Sequence, residues 1–561
     1  MDYKAQSQIG LNRKELIWLI TLIAIALIVR IIHLGTMPFL ADDASLAADA
    51  LAYAQFNEPE FSALPAYTGV TGGIFYVLGH SAFLARLLPV IAGCSLVVAA
   101  FLMTKRYDLR AAIVFALALA LDPFMVSMSR QIYTPLIALA GIIWAVFFIE
   151  RRKYIIAGIF TSIAFLGGYY FWVFLIAFVF IWVIGKQLKI EHFNDYGSIV
   201  KDKSFLIPFL FTFAISLIIV STGFLLRPAG LGDIASGLVA FIRLFGQRYE
   251  LPIYHSFYVL FAFGLFPLIG GIIWLTKKTS DDKINYRRFI ILFILIALIL
   301  CVLFSRKDMG VAVLLFIPLW FMTAKWLAGL RIDIKDKAPQ KAGSLFLYVV
   351  FMVYIGMNVK RLFNYGIGDP ITLQIGLATI AGVLLVLIIF WLSSLTLGIK
   401  RAVPLFTLAL VLILSSVMIS KTFNSFDKFT MQNQLSLNSD PVVLGNIQQV
   451  QAIEPFENYG RINFSEATVK VEDIEYDLRW HLREFAAKED NKAPEFIITV
   501  DAITPNYDVS YRGTRIELSQ TINWRDLDIQ NYFFSLVEAS PIWNIETACL
   551  WAQTKLFTGA N

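Results

Sequence analysis

The chain has 561 residues, of which 58% are hydrophobic, 15% aromatic and only 16% charged, and its mean hydropathy is +0.69. That balance excludes a soluble globular protein and leaves a multi-pass membrane protein. A net charge of +6 is too modest to argue for nucleic acid, and three cysteines as far apart as Cys94, Cys301 and Cys549 suggest neither a disulfide framework nor a cysteine metal site.

A helix that crosses a bilayer needs about 20 mainly apolar residues, fewer where aromatic or basic residues anchor its ends. The first such run, 15–34, follows Lys4, Arg13 and Lys14 but lacks a small-residue cleavage site, so it reads as a retained span. A loop over 35–81 follows, and in it Asp42, Asp43, Asp49 and Tyr53 lie on a segment with helical spacing that could rest along the outer interface. Asp42 and Asp49 are seven residues apart, close to two turns, and share a face. Carboxylates are costly beside hydrocarbon, so an adjacent acidic pair just after a span points to a functional site. The plainer reading is a solvated helix N-terminus, whose dipole favours acids.

Further apolar runs occupy 82–103, 111–128, 135–149, 154–168, 170–185, 205–226, 256–276, 289–304, 310–329, 344–359, 371–394 and 403–420, about thirteen spans in all. With the N-terminus inside, every second connection is basic, from Lys105, Arg106 and Arg110 through Arg151, Arg152 and Lys153 to Lys400 and Arg401. The alternate connections carry Arg130, Arg227, Arg243, Arg248, Arg306, Lys307, Lys360 and Arg361, either against lipid headgroups or converging on an anionic ligand. Gly167 to Trp172 reads as a tight turn with an aromatic belt. Residues 226–249 read as an interfacial helix with snorkelling arginines, the alternative being a lid over a lipid.

These runs make residues 1–420 a transmembrane domain. Residues 421–561 are polar and read as a small outer α/β domain, with strands at Glu495–Asp501 and Arg515–Leu518 and a helix at Tyr476–Phe485. The predicted localisation is the cell membrane, with a cytoplasmic N-terminus and an extracytoplasmic C-terminal domain.

Three features combine: the acidic pair after the first span, Gly79 to Gly93 with Ala85-Arg86-Leu87 inside it, and Asp122 to Pro135 containing Ser129-Arg130. Together they resemble the GT-C superfamily of membrane glycosyltransferases, in particular the branch of protein O-mannosyltransferases and lipid A aminoarabinose transferases. The resemblance covers roughly residues 15–330 and implies a mainly α polytopic fold. The implied activity is transfer of a sugar from a polyprenyl-phosphate donor to a protein, lipid or glycan acceptor at the outer face. Position by position, Asp42 aligns with the catalytic carboxylate, Asp43 with the second acid and Arg130 with the arginine of the second outer loop. Arg306 and Lys307 resemble the basic site for the donor phosphate. Two positions depart from the pattern: Asp43 stands where the family more often has Glu, and 64–70 replaces a Lys/His-Pro-Pro-Leu motif.

Such a transfer needs a general base for the acceptor hydroxyl and cations for the leaving phosphate. Asp42 or Asp43 serves as the base in an inverting reaction; an adjacent pair does not by itself say which. Arg130, Arg306 and Lys307 are expected to bind the donor phosphate, with Arg86, Tyr53, Arg227 and Arg248 as further substrate contacts. No cofactor is expected to be obligatory, because the donor carries its own leaving group and the five histidines are scattered, although Asp42 and Asp43 leave room for a weakly bound divalent cation. The competing readings are a lipid or glycan transporter, which would want ionisable residues at mid-span and repeated halves, and a membrane scaffold with an envelope-binding tail.

Overall fold

The structure, a computed structural model, describes residues 11–35, 39, 41–57, 64–188, 203–225, 227–246, 255–276, 284–304, 309–330, 338–362, 370–427, 469–472, 480, 493–499, 507–522 and 543–554. Eighteen α-helices are described, and every apolar run of the sequence falls on one or two of them. In chain order they are α1 (Arg13–Ile31), α2 (Ala41–Ala54), α3 (Pro65–Leu78), α4 (Ala82–Ala85), α5 (Leu87–Thr104), α6 (Leu109–Leu121), α7 (Pro123–Met128), α8 (Leu136–Glu150) and α9 (Tyr154–Phe165). Then follow α10 (Tyr169–Gln187), α11 (Lys203–Ser221), α12 (Ser236–Gly246), α13 (His255–Thr276), α14 (Ile284–Phe304), α15 (Val313–Ala328), α16 (Ala338–Leu362), α17 (Pro370–Leu397) and α18 (Ile399–Asp427). Short 3-10 turns precede α12 at Pro228–Ala235 and α15 at Met309–Ala312.

Among the described residues nine helices are long and apolar enough to cross a membrane, and four shorter ones are apolar. The long set includes Pro228–Gly246, but its placement favours the interface. A Cβ on Gly230 would run into the Ser221 carbonyl at the end of α11, and one on Gly237 would lie 2.9 Å from the backbone of Gly168, at the turn between α9 and α10. The segment therefore folds back over helix ends, and α12 leaves Leu238, Val239, Ile242 and Phe245 exposed beside Arg243.

Two runs that are continuous in hydropathy are broken in space. The run 111–128 stops at Asp122, because Pro123 has no amide hydrogen for the ladder and Asp122 caps the new helix α7 by accepting from the Met125 amide at 2.8 Å. The run 82–103 turns at Arg86, which separates α4 from α5.

The two ends of the bundle differ in chemistry. At one end, Lys105 pairs with Glu15 at 3.2 Å and Arg106 with Glu150 at 2.9 Å, so the start of α1 and the ends of α5 and α8 share a basic face. At the other, which we call the loop face, lie α2, α3 and the turn from Ser129 to Pro135. Thr422 near the end of α18 donates to the Leu121 carbonyl at 2.7 Å, so the chain enters its polar C-terminal segment at this same face.

The described strands of that segment form a four-stranded sheet in the order β1 (Val469–Glu472), β2 (Phe496–Thr499), β4 (Trp543–Gln553), β3 (Tyr511–Ile522). β1 and β2 are parallel and the other pairs antiparallel, with a bulge between Glu517 and Ser519. The strand expected at Glu495–Asp501 is β2, and Arg515–Leu518 lies inside β3. Of the helix expected at Tyr476–Phe485, only Trp480 is among the described residues.

Candidate active site

Asp43 sits in the first turn of α2, but its carboxylate does not serve its own helix. Oδ1 accepts from the amides of Ile132 at 2.9 Å and Tyr133 at 2.8 Å. Those amides belong to the irregular turn after α7, where no helical ladder uses them, and Asp43 is 1% exposed. One side chain thereby accepts from two adjacent backbone donors of this turn. α2 is also not the surface helix its acids suggested: Ala44, Leu46 to Leu51 and Tyr53 are all buried, Asp49 among them, because α2 packs along α3 within the protein.

Three arginines gather around this turn, all essentially buried: Arg30 at the end of α1, Arg86 between α4 and α5, and Arg130 after α7. Each donates to carbonyls left over at helix ends or in connections. Arg30 reaches Leu119 at 3.1 Å and Ala120 at 3.0 Å in the last turn of α6; Arg86 reaches Leu34 at 2.9 Å; Arg130 reaches Ile32 at 2.8 Å, the C-cap of α1. Arg86 lies close enough to Asp43 for the two charges to interact. For Arg130, burial and the like charges of Arg86 and Arg30 all act downward, so this end of the bundle holds a field that favours an anion. Tyr67 is kept protonated by burial and then by Asp43, and it donates to the Ala85 carbonyl at 2.9 Å, next to Arg86.

Asp122 is fully buried below the turn. Besides capping α7 it accepts from Trp320 Nε1 of α15 at 2.8 Å. The glycine of the 79–93 motif has a packing reason: a Cβ on Gly93 would lie 2.6 Å from Ser129 Cβ and 3.0 Å from Arg30 Nε. The residues that looked like separate motifs thus form one knot of Asp43, Arg86, Gly93, Ser129 and Arg130.

Tyr53 and Arg227 come together a little away from this knot. The Arg227 guanidinium lies 5.7 Å from the Tyr53 ring centroid and pairs with Asp233 at 3.6 Å. The Tyr53 hydroxyl is buried with no hydrogen-bond partner among the described residues, and burial raises its pKa to about 12. The Asp42 side chain, Arg248, Arg306 and Lys307 lie outside the described residues, so the structure does not place them.

The aromatic belt expected at Gly167 to Trp172 is corrected in part. The tight turn is there, with Gly168 at φ 75°, but Tyr169 and Tyr170 point inward and are buried, their ring centroids 6.4 and 5.9 Å from that of Tyr133. They back the turn that holds Asp43 instead of meeting lipid headgroups.

No family model matches the sequence, and no curated protein matches it. Solved structures do. The crystal structure of ArnT from Cupriavidus metallidurans bound to undecaprenyl phosphate superposes with a TM-score of 0.52 at 13% identity, covering 97% of this chain and 99% of that one. Its apo state gives 0.50 at 13% identity, over 98% and 100%. The chain has the fold of ArnT.

Within that fold, sequence reasoning missed Arg30, Asp122, Gln131, Tyr67 and Trp320. A cation inside the first apolar run was a usable signal for Arg30, and Asp-Pro after an apolar run marked Asp122 as a cap. Trp320 carried none, since its partner is 198 residues away. Gln131 is buried in the same turn, and its Nε2 has no partner among the described residues. Among the described residues no group of three or more potential ligands is placed to hold a metal ion.

Proposed function

We propose that this protein is an integral-membrane, inverting glycosyltransferase that moves a sugar from a polyprenyl-phosphate donor to an acceptor hydroxyl at the loop face, which is the outer face of the cell membrane. The observation that carries the reading is the Asp43 anchor. In a GT-C fold, the acidic pair after the first span is locked by one of its members onto a turn that carries arginine. The ArnT structure with bound undecaprenyl phosphate supports a polyprenyl-linked donor.

The anchor also divides the labour of the pair. A carboxylate that accepts two amides beside a guanidinium is a poor base, because both interactions favour its charged form. We therefore assign the base to Asp42, the position that aligns with the catalytic acid. Asp42 takes the proton of the acceptor hydroxyl as its oxygen attacks the anomeric carbon, and the carbon–oxygen bond to phosphate breaks on the opposite side. The departing polyprenyl phosphate is neutralised by Arg306 and Lys307, and Arg130, Arg86 and Arg30 add positive charge at the turn. Tyr53, Arg227 and Arg248 are assigned as further substrate contacts, and Gln131 adds a buried amide donor. The acceptor is a protein, lipid or glycan hydroxyl. No obligatory metal is invoked, since phosphate is already a leaving group once cations meet it. A divalent cation at the pair would be weakly held, with Asp43 Oδ1 already occupied.

The test is transfer of labelled sugar from polyprenyl-phosphate donors by the purified full chain. Wild type should turn over, and Asp42→Asn should lose about 10²–10⁴-fold at unchanged melting temperature; Arg306→Ala should lose both rate and donor affinity. Absence of turnover with common donors, together with unaltered donor binding in Arg306→Ala, would sink the assignment.

A further inference from the structure

Among the described residues, one side chain of the polar C-terminal segment reaches into the core of the helical bundle. Trp480 is 2% exposed and belongs to the same buried cluster as α1, α2, α5 and α15. Its ring meets Phe39 edge-on at 5.3 Å between centroids, stacks on Phe75 of α3 at 5.9 Å and meets His80 edge-on at 6.4 Å. Phe39 in turn carries the Arg86 guanidinium on its ring, 4.1 Å from the centroid. The same Arg86 holds the Leu34 carbonyl through Nη1 at 2.9 Å.

The connector between α1 and α2 is therefore gripped at two points, Leu34 and Phe39, by Arg86, and Trp480 meets Phe39 as well. Asp42 follows Phe39 by three residues. We propose that Trp480 is a positioning residue for the acidic pair: lodged against Phe39 and Phe75, it fixes the connector that leads into Asp42, so that the C-terminal segment completes the active site. A buried aromatic socket is a directional device, because edge-to-face and stacked pairs set ring orientation as well as distance. Reaction geometry is steep in distance, and a displacement of about 1 Å costs roughly 100-fold in rate. Trp480 touches no reacting atom in this scheme; it acts through Phe39.

This inference rests on the transferase reading for its kinetic consequence, but not for its structural one, and the experiment separates them. Hydrogen exchange is followed in the full-length protein in detergent for wild type, Trp480→Ala, Trp480→Phe and Phe39→Leu, beside donor transfer and melting temperature. Trp480→Ala should speed amide exchange across residues 39–45 tenfold or more, while exchange in α5 and α15 stays at the wild-type level. Its kcat should fall roughly 10- to 100-fold with KM for the donor little changed, and Trp480→Phe, which keeps a ring in the socket, should recover most of both. The double variant Trp480→Ala/Phe39→Leu should be no slower than the worse single variant, since both cut the same link. Wild-type exchange at 39–45 in Trp480→Ala overturns the proposal whatever the activity. So does a kcat loss that only tracks loss of folded protein. If wild type turns over no donor, the transferase reading fails while the exchange result still decides whether Trp480 orders the connector. Should Trp480→Ala not fold, Phe39→Leu carries the same exchange test from the other side of the contact.

Discussion

Asp42 and Asp43 are neighbours in sequence, yet their replacement should have different consequences. Asp43→Ala removes the acceptor of the buried Ile132 amide, at about 1–3 kcal/mol for an unsatisfied group, and its bond to the Tyr133 amide, so it should lower the melting temperature as well as the rate. Asp42→Asn should slow transfer about 10²–10⁴-fold and leave the melting temperature in place; a calorimetric scan of both variants in one detergent distinguishes them. Tyr53→Phe removes a buried hydroxyl that has no partner among the described residues, and should leave stability unchanged or raised while weakening donor binding if that hydroxyl meets substrate.

At the scale of elements, the loop-face ends of α1, α6 and α7 are joined by side chains instead of tight loops. Arg30 and Arg130 satisfy carbonyls that α6 and α1 leave over, and Asp122 ties α7 to α15 through Trp320. Gly93 belongs to the same joint. Gly93→Ala should cost about 1–3 kcal/mol by overpacking against Ser129, and should slow transfer more than its stability loss explains, since Ser129 precedes Arg130. Circular-dichroism melts and the transfer assay on one preparation check both parts. Much at this scale was legible in the sequence. Apolar runs marked the helices because every residue facing lipid must be apolar and every backbone group must be bonded within its own segment. The breaks at Arg86 and Asp122 were not marked by hydropathy, because the interrupting residues are buried against neighbouring helices and do not face water.

At the scale of the whole molecule, the first loop and the C-terminal segment share one face, while Glu15, Lys105, Arg106 and Glu150 share the other. The distribution of lysine and arginine predicts that the first of these faces is outside. Phe56→Cys on the loop face and Tyr107→Cys on the basic face are both exposed positions, and in intact cells an impermeant thiol reagent should modify the former and spare the latter. The reverse pattern would invert the topology and move the proposed reaction to the cytoplasmic side.

The sequence by itself determined that the chain is a polytopic membrane protein with a polar α/β tail, and it singled out the acidic pair, because composition and hydropathy period are local properties that solvent enforces residue by residue. It also offered Arg86 and Arg130 as candidates, but as ligands for substrate. Tertiary structure alone decided that both are buried against backbone carbonyls, that Asp43 anchors the turn after α7, and that Trp480 reaches the first loop from more than four hundred residues away. Those assignments depend on which donors and acceptors are left unpaired when helices meet, and no local pattern carries that information, since each partner is chosen by the packing and not by its neighbours in the chain.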